Sequence, residues 1–419
     1  MKKILADYIL DLRLIQKNVR LFLVGGLLMG VLSAFIQLLL NLYLKQIGYG
    51  EGFIGRVLSL GSFGAMVAAL PAVYLAARFR IRPILLLTIT LMSVAYFVLS
   101  LSPWSSLILI AAFVGGLLMA VKNVVSAPFL MRNSTERERT LIFALNFSTW
   151  IVSGIFGSLG GGWLHDVYLR MTGSDVKSYQ YAMITAVVIG MLALIPFSLI
   201  KSPEPRPDDI SRIFSWSALK AKRMLFFKLT FPYLLVGAGA GLIIPFLNLY
   251  FRNRFHLEPA RIGVYFAVLQ CAMLVAVLIV PIMKRHFGYI KTVVLTELLS
   301  VPFMLILCYS NNLNLAFLAF IFRGALMNMG VPVTNTFMME SVDDCDHGLI
   351  NSLSAISWGG AWAVSTQIGG LMIEKGGFVG VFLVAIVLYV ISAGLYYYFF
   401  SESETREGER IIIDTGSPR

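Results

Sequence analysis

The sequence predicts an all-α integral membrane protein: twelve transmembrane helices arranged as two parallel six-helix repeats. Three observations predict it. Hydrophobic residues make up 58% of the 419 residues and charged ones only 13%, against about 25% charged in ordinary soluble domains. Apolar runs of roughly 18 residues or more recur along the whole chain, each long enough to cross a hydrocarbon core as a helix. Finally, much of the first half is repeated in the second at a spacing of 208 residues.

The repeat is read directly from residue pairs. Asn41-Leu42-Tyr43, followed by Ile54-Gly55, returns as Asn248-Leu249-Tyr250, followed by Ile262-Gly263. From there the spacing holds without drift: Gly116 meets Gly324, Met119 meets Met327, Phe129 meets Phe337, Met131 meets Met339 and Trp150 meets Trp358. The pair Gly161-Gly162 meets Gly369-Gly370. So long a period is outside the range of solenoids and propellers. It is the duplication of a domain-sized unit.

The first six spans are expected at about 20–44, 53–77, 82–101, 106–131, 140–168 and 180–200. The second six are expected at about 227–251, 260–284, 290–310, 313–340, 348–374 and 378–400. Six is even, so both copies enter the membrane from the same side, as parallel repeats. The domains are then an N-terminal half, 1–200, a cytoplasmic amphipathic linker, 201–225, a C-terminal half, 226–400, and a disordered tail, 401–419. Within residues 1–18, Leu5, Tyr8, Leu12 and Ile15 form one helical stripe. In the linker Ile210, Phe214 and Trp216 alternate with Arg212, Lys220 and Arg223. Both patterns suit helices lying on a membrane surface, and a disordered basic linker is the alternative for the second.

Charge sets the topology. With the N-terminus inside, 24 Lys and Arg residues fall in inside segments and eight outside. This places both termini in the cytoplasm, in a plasma (cytoplasmic) membrane of bacterial type. The Asp343, Asp344, Asp346 loop is an inside segment of the opposite sign. Although the net charge is +12, the basic residues lie in short connectors, which argues against a nucleic-acid partner. The first apolar stretch shows no cleavage site. Cys271, Cys308 and Cys345 have neither disulfide nor metal spacing, so no metal or cofactor is expected.

Motif remnants complete the picture. The connector after span 2 reads Val73-Tyr74-Leu75-Ala76-Ala77-Arg78-Phe79-Arg80-Ile81-Arg82, and its copy reads Pro281-Ile282-Met283-Lys284-Arg285-His286-Phe287-Gly288. Span 5 carries Gly157-Ser158-Leu159-Gly160-Gly161-Gly162. With the duplicated unit and the central linker, these residues make the chain resemble the major facilitator superfamily over residues 20–400. The connector is similar to the family's loop between helices 2 and 3, with Val73 for its glycine and Ala77 for its acid. The resemblance implies a transporter in which that loop, here Arg78 and Arg82, takes part in gating. Arg78, Arg80 and Arg82 serve equally as topology determinants. The span 5 glycines are similar to a motif common in exporting members, with Ser158 for its proline, and they also suit close helix packing.

Charges inside spans are few and costly. Lys122 lies in span 4, Arg323 in span 10 and Glu297 in span 9. The repeat sets Lys122 against Gly330 and Arg323 against Gly115. Helical periodicity puts Gly115, Met119, Lys122, Asn123 and Ser126 on one face of span 4, and Gly324, Asn328 and Asn335 on one face of span 10. The resemblance implies that these spans line a central cavity. Gln37, Asn41, Asn146, Trp150, Gln270, Asn351, Trp358 and Trp362 are candidates to complete its wall. Arg323 either pairs with Glu297 or meets the substrate, and the amides are wall residues or interhelical glue. Glu297 is the candidate for coupling.

The expectation is a secondary transporter of a small organic solute, possibly anionic or amphipathic, working by alternating access as a monomer among membrane lipid, with a proton or another coupling ion. The alternatives are a multidrug efflux antiporter of the same fold, or a non-transporting sensor or lipid scramblase. No nucleophile, base and orienting group stand at readable spacing, so no enzyme is expected.

Overall fold

The computed structural model describes residues 15–201, 220, 222–343 and 346–415. Within these, α1 is Lys17–Gln46, α2 Glu51–Arg78, α3 Ile81–Leu101, α4 Ser105–Arg132, α5 Glu136–Thr172 and α6 Asp175–Met191, continued by Leu194–Ser198. In the second copy α7 is Arg223–Ile243, a 3-10 turn Ile244–Phe246 and Leu247–Phe255; α10 is Leu313–Glu340, α11 His347–Gly376 and α12 Phe378–Thr415. Between α7 and α10 runs Pro259–Tyr309, 51 residues long. Gly288 interrupts it with φ 77 and ψ −173, a left-handed conformation that a residue without Cβ adopts freely. We therefore call the part before Gly288 α8 and the part after it α9.

Among the described residues ten helical runs are long and apolar enough to cross a membrane, the α8–α9 run counted once. Its break makes it two spans. The twelfth is α11, 30 residues long, whose apolar character is diluted by Asn351, Ser352, Ser354, Ser357 and Gln367. The expected surface helix over 1–18 lies almost wholly outside the described residues, as do the linker over 202–219, Asp344 and Cys345. At the other end α12 is continuous to Thr415, past the expected end near 400. Its Glu and Arg content between 402 and 410 favours helix. Capping moves one boundary: α5 starts at Glu136 rather than near 140, because the Thr135 N–H donates to Glu138 Oε1 at 3.3 Å.

The chain forms two compact units. Unit 1 holds Met1–Gly50, Arg56–Ile210 and Phe251–Ala267; unit 2 holds Glu51–Gly55, Ser211–Tyr250 and Val268–Arg419. In unit 1, α1 packs on α5 and α6, and α3 on α4 and α6. Phe22 stacks on Phe129 at 4.7 Å and meets Phe197 edge-on at 5.7 Å. In unit 2, α7 packs on α11 and α12, the same pairings one repeat later. Its core joins Phe226, Leu229, Val293, Met329, Ile350 and Tyr396.

The repeated glycines have steric reasons. A Cβ on Gly116 of α4 would collide with the Gly61 carbonyl of α2, and one on its repeat mate Gly324 with Leu269 of α8. The span 5 glycines behave alike: Gly157 and Gly161 lie against α1, while Gly162 touches Pro259 and Ala260 at the start of α8. In the second copy Gly369 lies against Leu242 of α7, and Gly370 against Glu51 and Gly55 at the start of α2. Those helix starts are the segments each unit draws from the other sequence half. Gly116→Val is accordingly expected to destabilise the protein by about 1–3 kcal/mol or more, since rigid backbone cannot yield as a side chain can. Thermal unfolding in detergent checks this against Gly26→Val, where nothing stands within 4 Å.

Candidate functional site

In unit 1, Lys122 projects from α4 half-buried, beside exposed Asn123. Ser126 donates to the Lys122 carbonyl at 2.8 Å, a bond within the helix, and among the described residues Lys122 makes no ion pair. Cross-helix contacts fix its depth. Ser33 Oγ of α1 lies 3.9 Å from Met119 Sδ of α4, and Ser153 of α5 donates to the Leu27 carbonyl of α1 at 3.0 Å. Counting along each helix from these contacts puts Lys122 and Trp150 about six residues, ~9 Å, apart in depth.

Trp150 is 51% exposed and packs beside Phe147 at 5.9 Å. Gln37, one turn beyond Ser33, is exposed, and Asn146 is half-buried. These side chains give α1, α4 and α5 a polar and aromatic surface. Asn41 does not share it. It is 1% exposed, enclosed by packing near the end of α1.

In unit 2 the expected residues disperse. Gln270 is half-buried and Asn335 exposed. Asn328 donates to the Gly324 carbonyl of its own helix at 2.8 Å. Trp358 sits in an aromatic run, 5.0 Å from Tyr233 and 6.0 Å from Trp362. Its repeat mate Trp150 is open, so the two tryptophans have different surroundings.

Arg323 is 2% exposed and Glu297 5% exposed, and among the described residues they form no direct ion pair. Arg323 turns to Tyr389 of α12 instead: its Nη2 donates to the Tyr389 hydroxyl at 3.3 Å. Ser392 of α12 donates to the Pro232 carbonyl of α7 at 3.1 Å. Glu297 Oε2 and Arg323 Nε are buried without hydrogen-bond partners. Arg323 thus faces α12 from inside unit 2 rather than an open wall. The signal for this group was missing from the sequence, because Tyr389 and Ser392 look like ordinary helix filling.

The connectors carry their own charge contacts. Arg78 Nη1 donates to Tyr74 of its own helix at 2.6 Å, and Arg82 is exposed. In the second copy Lys284 bonds Tyr289, whose hydroxyl donates to Glu340 Oε1 at 2.6 Å. Glu340 thereby brings an acid to a connector that lacks one. Lys222, just before α7, pairs with Asp343 and, at 2.6 Å, with Asp346.

The Asp343 hydrogen bond, with that of Asp346, raises Lys222 above the ordinary lysine range, and Lys222 holds Asp343 below the ordinary carboxylate range. A depressed carboxylate contributes above its unfolded pKa, and the contribution is lost as pH falls through the folded value. The contact is therefore in force at neutral pH and fades in strong acid. Lys222→Gln is expected to speed cleavage of the α10–α11 connector by an Asp-directed protease a few-fold at neutral pH, and any fall in melting temperature should come from buried Asp346 rather than solvated Asp343.

Comparison with known proteins places this geometry. The family described as Major Facilitator Superfamily matches residues 21–296 and 229–414. No curated protein matches the sequence. Among solved structures, a bacterial homolog to the human lysosomal transporter Spinster, inward-facing and occupied, aligns with TM-score 0.75 at 12% identity, covering 91% of this chain and 95% of its own. The nucleoside transporter NupG aligns at 0.72 and 12% identity, covering 92% and 99%. A D-xylose-proton symporter aligns at 0.72 and 13% identity, covering 91% and 97%.

Proposed function

The chain belongs to the major facilitator superfamily, a family of transporters rather than enzymes, and on that premise we propose a specific transport role. It moves a small organic solute, anionic or amphipathic, by alternating access, with Lys122 meeting the solute and Glu297 exchanging a coupling proton. The observation that carries the reading is Lys122: a half-buried cation on a spanning helix, without an ion pair among the described residues. A charge so placed is expensive, and an anionic solute compensates it when bound. The aromatic surface of Phe147 and Trp150 suits an apolar portion of the same solute. Both termini lie in the cytoplasm in this reading, and the protein acts as a monomer in the cytoplasmic membrane.

The first experiment is a thermal-shift screen of purified protein against organic anions, neutral solutes and cations. A ligand that binds the folded state raises the melting temperature. Anions should give the largest shifts, and those shifts should shrink in Lys122→Gln. A screen in which only neutral or cationic solutes stabilise the protein overturns the assignment of charge.

A further inference from the structure

At the end of unit 1 formed by the α5–α6 turn lies a cleft of ≈ 260 Å³ whose lining includes His165, Asp166, Arg170, Asp175, Arg252 and Glu258. His165 is 1% exposed. Its ring packs on Tyr179 of α6 with centroids 4.2 Å apart. Its Nδ1 is 3.2 Å from Asp166 Oδ1 and its Nε2 3.6 Å from Asp175 Oδ1. The Nε2 is buried and lacks a hydrogen-bond partner. Asp175 also faces Arg252 Nη2 at 4.0 Å, and Arg252 Nη1 donates to the Leu257 carbonyl at 3.2 Å.

We propose that His165 is a proton-binding site that latches the α5–α6 turn to the 251–267 segment. A neutral imidazole has one N–H and one bare lone pair. Whichever nitrogen carries the hydrogen, the other turns a lone pair toward a carboxylate. Only the doubly protonated ring donates toward Asp166 and Asp175 together. Proton uptake therefore draws both carboxylates onto His165, while Arg252 of α7 holds the far side of Asp175. Arg170 and Glu258 complete the ring of charges around the cleft, which gives solvent protons a route to an otherwise enclosed ring.

Proton loss removes one of the two bonds and leaves Arg252 as the remaining cation facing Asp175. An imidazole gains its second proton on the acid side of neutrality, so the latch closes in acid. Residues 251–267 are the end of α7, its connector and the start of α8, so their release is a natural part of any rearrangement of those helices. The inference concerns this site alone and stands or falls independently of the solute.

Hydrogen exchange on the full-length protein in lipid nanodiscs tests it without substrate. Protection factors, corrected for the intrinsic pH dependence of exchange, are compared at about pH 5.5 and about pH 8. In the wild type, protection of 166–176 and 252–262 should be about threefold or more higher in acid. His165→Gln keeps size and hydrogen bonding but cannot become a cation, and should flatten that difference. Asp175→Asn should flatten it too, and decides the matter if the first variant fails to fold. A wild type whose protection there is independent of pH overturns the proposal outright, as does an undiminished pH response in either folded variant.

Discussion

Lys122→Gln is expected to remove most transport of an anionic solute while leaving the protein as stable as before. The two halves of this outcome have one cause. Lys122 is half-buried on a spanning helix and makes no ion pair among the described residues. A cation at bilayer depth costs about 2.5–3.5 kcal/mol on insertion scales, so a neutral side chain of similar reach should hold or raise the melting temperature. Transport responds in the opposite direction. A hydrogen bond to a charged group is worth about 1.5–3 kcal/mol, which corresponds to a loss of roughly 10- to 100-fold in apparent affinity. Lys122→Arg, keeping the charge with different geometry, should retain part of the activity.

Counterflow uptake in proteoliposomes with a panel of organic anions measures the effect, alongside thermal unfolding of each variant. Equal uptake of every anion by wild type and Lys122→Gln removes Lys122 from the binding role. A drop of many degrees in melting temperature, with uptake lost only in proportion to unfolded protein, would assign it a structural one.

What the sequence revealed and what it hid separate along physical lines. Repeat pairs such as Gly116 and Gly324 were legible because close helix approach forbids a side chain in both copies, and the same constraint shows up twice. Spans were legible from apolar length, and α11, diluted by polar residues, from its place in the repeat as the mate of span 5. The surroundings of Trp150 and Trp358 were not: equal residues at equal repeat positions became an open ring and a member of a stack. A direct pair of Arg323 with Glu297 was one of two expectations, whereas the partner Arg323 bonds is Tyr389, contributed by α12. Helix periodicity reports a residue's own face, not which neighbour arrives opposite it. His165 stayed hidden for a similar reason, since Asp175 meets it across the α5–α6 turn and Arg252 meets Asp175 only through tertiary packing.

Glu297→Gln should separate solute movement from proton coupling. Glu297 lies deep in α9, 5% exposed, and its Oε2 has no hydrogen-bond partner. Glutamine keeps the shape but cannot exchange a proton. Accumulation driven by a pH gradient should fall to the equilibrium level, while exchange of labelled for unlabelled solute continues. Energetics supply a second reading of the same group. The single change leaves Arg323 buried without a nearby anion, at a cost of about 1–3 kcal/mol.

Arg323→Met leaves the carboxylate as the uncompensated charge and should cost on the order of 3 kcal/mol. Combining the two removes both charges, so the double variant should lose less than the singles added together, by about 1 kcal/mol or more. Strict additivity would mean that the two charges are not coupled. Uphill accumulation by Glu297→Gln at the wild-type level would exclude Glu297 as the proton carrier, and it would do so whether or not the stability cycle shows coupling.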